Sequence, residues 1–248
     1  MPPKKDGTKD WEVKTFPKFS GKKAFVLPGA FYGQCVLLMA EAGFSKADNV
    51  ADADVVVFIG GEDVNPKLYN QDNVASGFDD ARDALEVEIY NRAKELGKVC
   101  FGICRGAQFL HVMNGGLLWQ DVNHHAGRSH SIIDLDEDVR LTVTSLHHQM
   151  LQDNDTLEVI AVTEDQIATT FIDADLHINL GKGNADHEIE IEAGCYHGTK
   201  SFFVQGHPEV GSLYYKTWSM QKLQDLMQEW ESPAKLTEIV KGMSVCAV

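Results

Sequence analysis

Apolar residues along the chain alternate between two patterns. Short runs rich in Val, Ile and Phe end in glycine or proline, and between them apolar positions recur at helical spacing. AFVL (24–27), closed by Pro28-Gly29, reads as a short buried strand. A helix is predicted over about 32–42, with Gly43 just past its end. ADVVVFIGG (53–61) is a near-continuous β-branched run ending in two glycines, as in a strand covered on both faces. In DDARDALEVEIYNRAKELGK (79–98), Leu85, Ile89, Ala93 and Leu96 recur at spacings of 4, 4 and 3. That spacing predicts a helix with one buried stripe, capped by Asp79 or Asp80 and ended by Gly97. VCFGI (99–103) is another buried strand, and RGAQFLHVMNGG (105–116) another helix. Strand and helix in alternation point to a doubly wound α/β sheet.

The second half changes character. Strands are predicted at 139–144, 157–162, 167–172, 188–193 and 201–205. Asp134, Asp136, Glu137 and Asp138 read as a solvated acidic turn, and the polar stretch 173–187 as an exposed excursion between strands. A last helix over about 212–230 carries Leu213, Tyr214, Trp218, Leu226, Met227 and Trp230 as core positions. Residues 1–22 are expected to be a basic arm pinned by its aromatics, 23–232 the folded domain, and 233–248 a tail.

Charge narrows the partners. Lys and Arg number 22 against 37 Asp and Glu, a formal net charge of −15. Residues 1–23 hold seven Lys against three acids, so the rest is more acidic still, at −19. Such a surface repels nucleic acid and anionic membrane, so neither is expected as a partner. No apolar run reaches the ~20 residues of a membrane helix. The start, MPPKKDGTKD, has no apolar core, so no secretory signal is expected. Five irregularly spaced cysteines (Cys35, Cys100, Cys104, Cys195, Cys246) make no disulfide framework and suggest a reducing, cytoplasmic setting.

One of those cysteines is placed for chemistry. Gly102-Ile103-Cys104-Arg105-Gly106 runs a strand straight into a helix, with the Cys at the corner. This is the nucleophile-elbow arrangement with sulfur in place of oxygen, and the helix N-terminus favours a thiolate there. The alternative is a buried Cys in an ordinary strand-to-helix turn. Gln205-Gly206-His207-Pro208-Glu209 follows the apolar SFFV. His207 and Glu209, two apart in extended chain, point the same way, so an imidazole can face a thiol while a carboxylate holds its other N–H. Alone, such a triplet is a common surface turn. Gly60-Gly61 ends its strand where a doubly wound sheet opens its ligand crevice. A glycine N–H there, with that of Arg105, would make a two-donor oxyanion hole; otherwise it is a simple turn. His111, His124, His125 and His130 show no ligand spacing that needs a metal, and none is expected.

With these residues in view, the chain resembles the class I glutamine amidotransferase superfamily. It is most similar to the γ-glutamyl hydrolase branch that includes γ-glutamyl-γ-aminobutyrate hydrolase. The motifs that carry the resemblance are GGEDVNPKLY (60–69), RDALEVEIYNRAKELGKVCFGICRGAQ (82–108), SLHHQ (145–149) and VQGHPE (204–209). The resemblance implies a triad of Cys104, His207 and Glu209, oxyanion donors at Gly61 and Arg105, and substrate contacts from Gln108, Ser145 and His147. Geometry agrees for Gln108, one helical turn beyond Cys104. Adjacent His147 and His148 point oppositely on a strand, so at most one faces the site. Three departures stand out. Gly206 replaces the usual aromatic and would widen the pocket beside His207; Lys98-Val99 lacks the usual Pro; and 173–187 is long.

The expected fold is one α/β domain with a largely parallel, flavodoxin-like sheet and a smaller antiparallel part. The expected reaction is cofactor-free, cysteine-dependent hydrolysis of glutamine or a small-molecule γ-glutamyl amide. Two alternatives stay open. One is a glutaminase that supplies ammonia to a separate synthetase in trans, since the domain uses up the chain. The other is a non-catalytic binding protein, which an intact triad disfavours.

Overall fold

The computed structural model describes residues 9–10, 15–180 and 189–232. Strands β1 (Lys9–Asp10), β2 (Lys23–Val26), β3 (Ser45–Lys46), β4 (Val55–Phe58) and β5 (Val99–Ile103) are interleaved with helices α1 (Tyr32–Glu41), α2 (Asp80–Glu95) and α3 (Arg105–Met113). The second half supplies β6 (Leu118–Trp119), β7 (Asp121–Val122), β8 (Arg128–Asp134), β9 (Val139–Ser145) and β10 (Met150–Leu151). Then come β11 (Glu158–Thr163), β12 (Thr170–Ile172), β13 (His177–Asn179), β14 (Ile191–Tyr196), β15 (Ser201–Val204) and α4 (Leu213–Glu231).

The main sheet runs β1-β9-β8-β11-β14-β15-β5-β4-β2-β3. Neighbours from β15 to β3 are parallel, and those from β9 to β15 antiparallel. The α/β expectation holds, and the antiparallel part continues the same sheet through the β14–β15 pair. Side chains alternate across it. Val55, Val57, Phe101, Phe202 and Val204 pack with Leu38 and Met39 of α1 and with Trp218 and Leu223 of α4. Val56, Phe58, Cys100 and Phe203 pack with Tyr90 of α2 and Phe109 and Leu110 of α3. Helices on both faces explain the near-continuous apolar runs of β4 and β5. No helix of the described residues is long and apolar enough to cross a membrane.

Several local expectations are corrected. In α2, capped by Asp79, the buried positions are Asp83, Glu86, Tyr90 and Ala93, while Leu85 and Leu96 are exposed. The helix is rotated from its apolar stripe because two carboxylates serve a buried cation. Leu213 and Tyr214 are exposed in the first turn of α4. Asp134 is not solvated: it is buried, takes the Trp218 indole N–H at 2.8 Å and pairs with Lys222 at 2.8 Å. The polar β8, RSHSIID, was not anticipated; it pairs along its whole length with β9. The excursion at 173–187 begins as a hairpin, β13 pairing with β12, and residues 181–188 lie outside the described residues, as does the 233–248 tail. In the 1–22 arm, Phe19 is buried and stacked on Phe44 at 4.3 Å.

Candidate active site

The crevice forms where β4, β5 and β15 end side by side. Cys104 follows β5 with φ 54 and ψ −110, a conformation that costs a non-glycine residue roughly 1–3 kcal/mol. Its N–H donates to Val204 O at 2.9 Å, and its own carbonyl accepts the Ala107 and Gln108 N–H groups that open α3. The flanking glycines are steric requirements. A Cβ on Gly102 would lie 2.6 Å from Gly106 O, and one on Gly106 would lie 2.1 Å from Phe58 O. Cys104 is 7% exposed.

β15 delivers the second half of the site. After Val204 the chain turns through Gln205 and Gly206, and His207 N–H donates to Thr144 O at the end of β9. His207 Nδ1 donates to Glu209 Oε1 at 2.6 Å, and both residues are buried. Burial alone would pull the His207 pKa down. Hydrogen bonds to Cys104 and Glu209, reinforced by their charges, outweigh it and raise the pKa to about 10. His207 is thus an imidazolium donor held between a sulfur and a carboxylate. The Phe31 ring packs edge-on against it at 5.3 Å. The expected widening beside Gly206 is absent, because a Cβ there would sit 2.8 Å from the Tyr215 hydroxyl, which fills the space.

The Gly60-Gly61 turn lies against the same pair. A Cβ on Gly60 would come 3.1 Å from His207 Cε1 and 3.8 Å from Cys104 Cβ. Gly61 has φ 150, and a Cβ on it would strike Arg82 Nη1 at 1.8 Å. Sequence reasoning gives Arg82 no role of its own. Its guanidinium donates to Ile59 O at 2.9 Å, Gly60 O at 3.1 Å and Glu86 at 2.9 Å, clamping the glycine turn. Arg105, whose N–H begins α3, sends its side chain away into a buried cluster with Asp83 and Glu86. Burial lowers its pKa to about 10, against the pull of Asp83. These ion pairs tie the N-terminal turns of α2 and α3 together directly beneath the elbow.

Gln108 is buried and donates from Nε2 to Gln149 O at 3.2 Å, which brings the α3 and SLHHQ motifs together. Ser145 is buried with its hydroxyl unpartnered among the described residues. The adjacent histidines do point oppositely. His148 is half-exposed between Asp63 and Asp121; the Asp63 hydrogen bond, opposed by burial and aided by Asp121, raises its pKa to about 9. His147 turns inward, its ring 4.9 Å from that of His125, and burial drives its pKa down to about 3. The site therefore gathers Cys104, His207, Glu209 and the Gly60-Gly61 turn, with Gln108 alongside, while Ser145 and His147 lie in the buried interior.

Residues 28–136 match the peptidase C26 family. Two glutamine amidotransferase-like proteins of Lactococcus lactis, YvdE of subsp. lactis (strain IL1403) and its homolog in subsp. cremoris, are 30% and 29% identical over 133 residues. The matches cover 44% of this chain and 56% and 71% of those proteins, so the chain spans only part of their length. Among solved structures, PurLQS from Thermotoga maritima is similar with a TM-score of 0.58 at 15% identity, covering 83% of this chain and 99% of that one. A GMP synthase subunit from Thermoplasma acidophilum has a TM-score of 0.54 at 12% identity, covering 85% and 98%. Sequence matches and fold thus both resemble the class I glutamine amidotransferase superfamily.

Proposed function

We propose that this protein hydrolyses the γ-amide of glutamine or of a γ-glutamyl amine through a thioester on Cys104. The thiolate attacks the amide carbon, a C–S bond forms, and the carbonyl electrons move onto oxygen. The backbone N–H groups of Gly61 and Arg105 hold that oxyanion, each such donor lowering the barrier by ~3 kcal/mol. Collapse breaks the C–N bond, and His207 gives its proton to the departing ammonia or amine. Neutral His207 then takes a proton from water, which attacks the thioester, releasing glutamate and restoring the thiolate. Glu209 keeps the imidazole oriented and stabilises its charge. The observation that carries this reading is the 2.6 Å His207–Glu209 pair beside a cysteine held at positive φ on a strand-to-helix corner.

The test is glutamate release by the purified chain across a panel of γ-glutamyl amides, with Cys104→Ala as control. Turnover of ~1 s⁻¹ or more on any member supports a stand-alone hydrolase. A second reading draws on the solved neighbours, PurLQS and the GMP synthase protein: a glutaminase that works for a synthetase in trans. Negligible rates on every amide, with Cys104 still labelled by a glutamine-like electrophile, would overturn the hydrolase reading in favour of the second.

A further inference from the structure

A second concentration of polar groups lies within the antiparallel half of the sheet, and the chemistry above does not use it. Glu192 on β14 is fully buried, yet among the described residues its carboxylate makes a single hydrogen bond, from His130 Nε2 to Oε1 at 2.8 Å. Its Oε2 has no partner among the described residues. Two more imidazole nitrogens surround Oε1, His125 Nδ1 at 3.6 Å and His147 Nε2 at 3.9 Å. Both are buried and both lack a hydrogen bond among the described residues. A buried carboxylate oxygen and two buried ring nitrogens without hydrogen bonds are a costly arrangement unless something satisfies them.

The protonation of the His125 ring follows from its outer partner, whereas His147 Nδ1 faces both an acceptor, Gln149 O at 2.9 Å, and a donor, Gln205 Nε2 at 3.1 Å. His125 Nε2 lies 3.0 Å from Glu190 Oε2. Glu190 Oε1 accepts the Ile167 and Ala168 N–H groups at 2.8 and 2.7 Å, which fixes it as a carboxylate acceptor. His125 therefore donates from Nε2 and presents its Nδ1 lone pair inward. A ring that gives its outer N–H to a carboxylate or carbonyl and turns its free nitrogen inward is the arrangement of metal-binding histidines.

We propose that His125, His130 and Glu192, whose ligand atoms converge on one another, bind one Zn²⁺ ion in a buried site. Two imidazoles and a carboxylate are a ligand set of the right kind, and Zn–N and Zn–O bonds of ~2.0–2.2 Å in a tetrahedron separate ligand atoms by ~3.4 Å. The present separations from Glu192 Oε1, 2.8 Å to His130 and 3.6 Å to His125, bracket that value. Charge agrees as well, since a dication with neutral imidazoles balances the two carboxylates of Glu190 and Glu192. With three protein ligands, a water takes the fourth position of the tetrahedron. The ion joins β8, β14 and the segment around His125.

The experiment uses the full chain, stripped with a chelator and then titrated with Zn²⁺ or Co²⁺. One equivalent should bind, raise Tm in a concentration-dependent way, and with Co²⁺ give the visible band of a tetrahedral site without a thiolate charge-transfer band in the near ultraviolet. His130→Asn and Glu192→Gln should each weaken binding by more than the ~10–100-fold that losing an outer partner such as Glu190 costs. Cys104→Ala should bind as the wild type does, which separates this site from the proposed hydrolase chemistry. Absence of stoichiometric binding, or unchanged affinity in Glu192→Gln, would overturn the proposal. If the variants fail to fold, the wild-type cobalt spectrum decides. A tetrahedral band without thiolate character supports the site. A thiolate band would move the ion to the Glu158, Cys195 and His197 group, and either that result or the lack of a tetrahedral band overturns the assignment.

Discussion

Glu209→Gln tests the geometry of the proposed site most sharply, because the structure says what the amide must do. In the wild type, Glu209 Oε1 receives the His207 Nδ1 proton, and Oε2 is buried with no partner among the described residues. A glutamine has two ways to sit. With its oxygen toward Nδ1, its NH₂ group takes the place of Oε2 and is a buried donor without an acceptor, which costs about 1–3 kcal/mol. With its NH₂ toward Nδ1, only an unpartnered oxygen remains, which the wild type already tolerates. The second orientation forces the ring proton onto the nitrogen that must face Cys104, and that tautomer cannot act as a base. The penalty favours the inactive orientation by roughly 5- to 150-fold. Loss of the charge-assisted bond to the imidazolium removes about another tenfold.

The expected fall in kcat is therefore on the order of 10²–10³, with KM little changed. The assay is initial-rate glutamate release at saturating substrate, beside thermal unfolding to show that the fold survives. A variant that keeps its fold and stays within about threefold of the wild-type rate would refute the reasoning, since it would mean that neither the tautomer nor the imidazolium depends on Glu209.

Three further outcomes are expected. A glutamine-like electrophile should label Cys104 in peptide mapping and spare Cys35, Cys100 and Cys195, all buried, with burial pushing the Cys100 thiol up to about 12 and Cys35 higher still. Stability should fall with alkaline pH: His207 is raised from about 6.5 to about 10 in the fold, so its contribution is complete below the unfolded value and is lost as pH climbs through the folded one. At ~1.4 kcal/mol per pH unit the ceiling is on the order of 5 kcal/mol, and denaturant midpoints at pH 7 and 9.5 should diverge less in Cys104→Ala, which lacks the sulfur partner. Gly106→Ala should destabilise by at least about 1–3 kcal/mol and lose activity, because its Cβ meets the Phe58 carbonyl, whereas Gly33→Ala, with open space around it, should be neutral or slightly stabilising in Tm.

What could be read from sequence was local. The Cys104 elbow is written in five consecutive residues, glycine being required on both sides by contacts with α3 and β4 that every such turn makes. The His207–Glu209 pair is written in their two-residue spacing, although the segment beyond Val204 folds as a turn and not as the extended chain expected. Apolar runs located β4, β5 and β15 because a strand covered on both faces has no polar side to interrupt it.

The misreadings share a different cause. Pattern reading assigns charge to solvent, and this protein buries charge wherever a distant residue balances it. Asp83 and Glu86 lay on the polar stripe of α2, yet that stripe faces inward because Arg105, about twenty residues on, needs two carboxylates under the elbow. The alternating EIEIEA at 188–193, which runs into β14, has the pattern of a strand with one polar face. His125, His130 and the N–H groups of Ile167 and Ala168 close over Glu190 and Glu192. Such pairings are complementarity between segments far apart in sequence, so no window of a single chain contains both partners. They are also strong constraints: removing one member leaves the other buried and uncompensated, typically at 3–5 kcal/mol. The polar interior thus holds the elbow, the clamped glycine turn and the SLHHQ segment in one geometry, and the apolar core, which the sequence pattern reveals, holds only the sheet on which they stand.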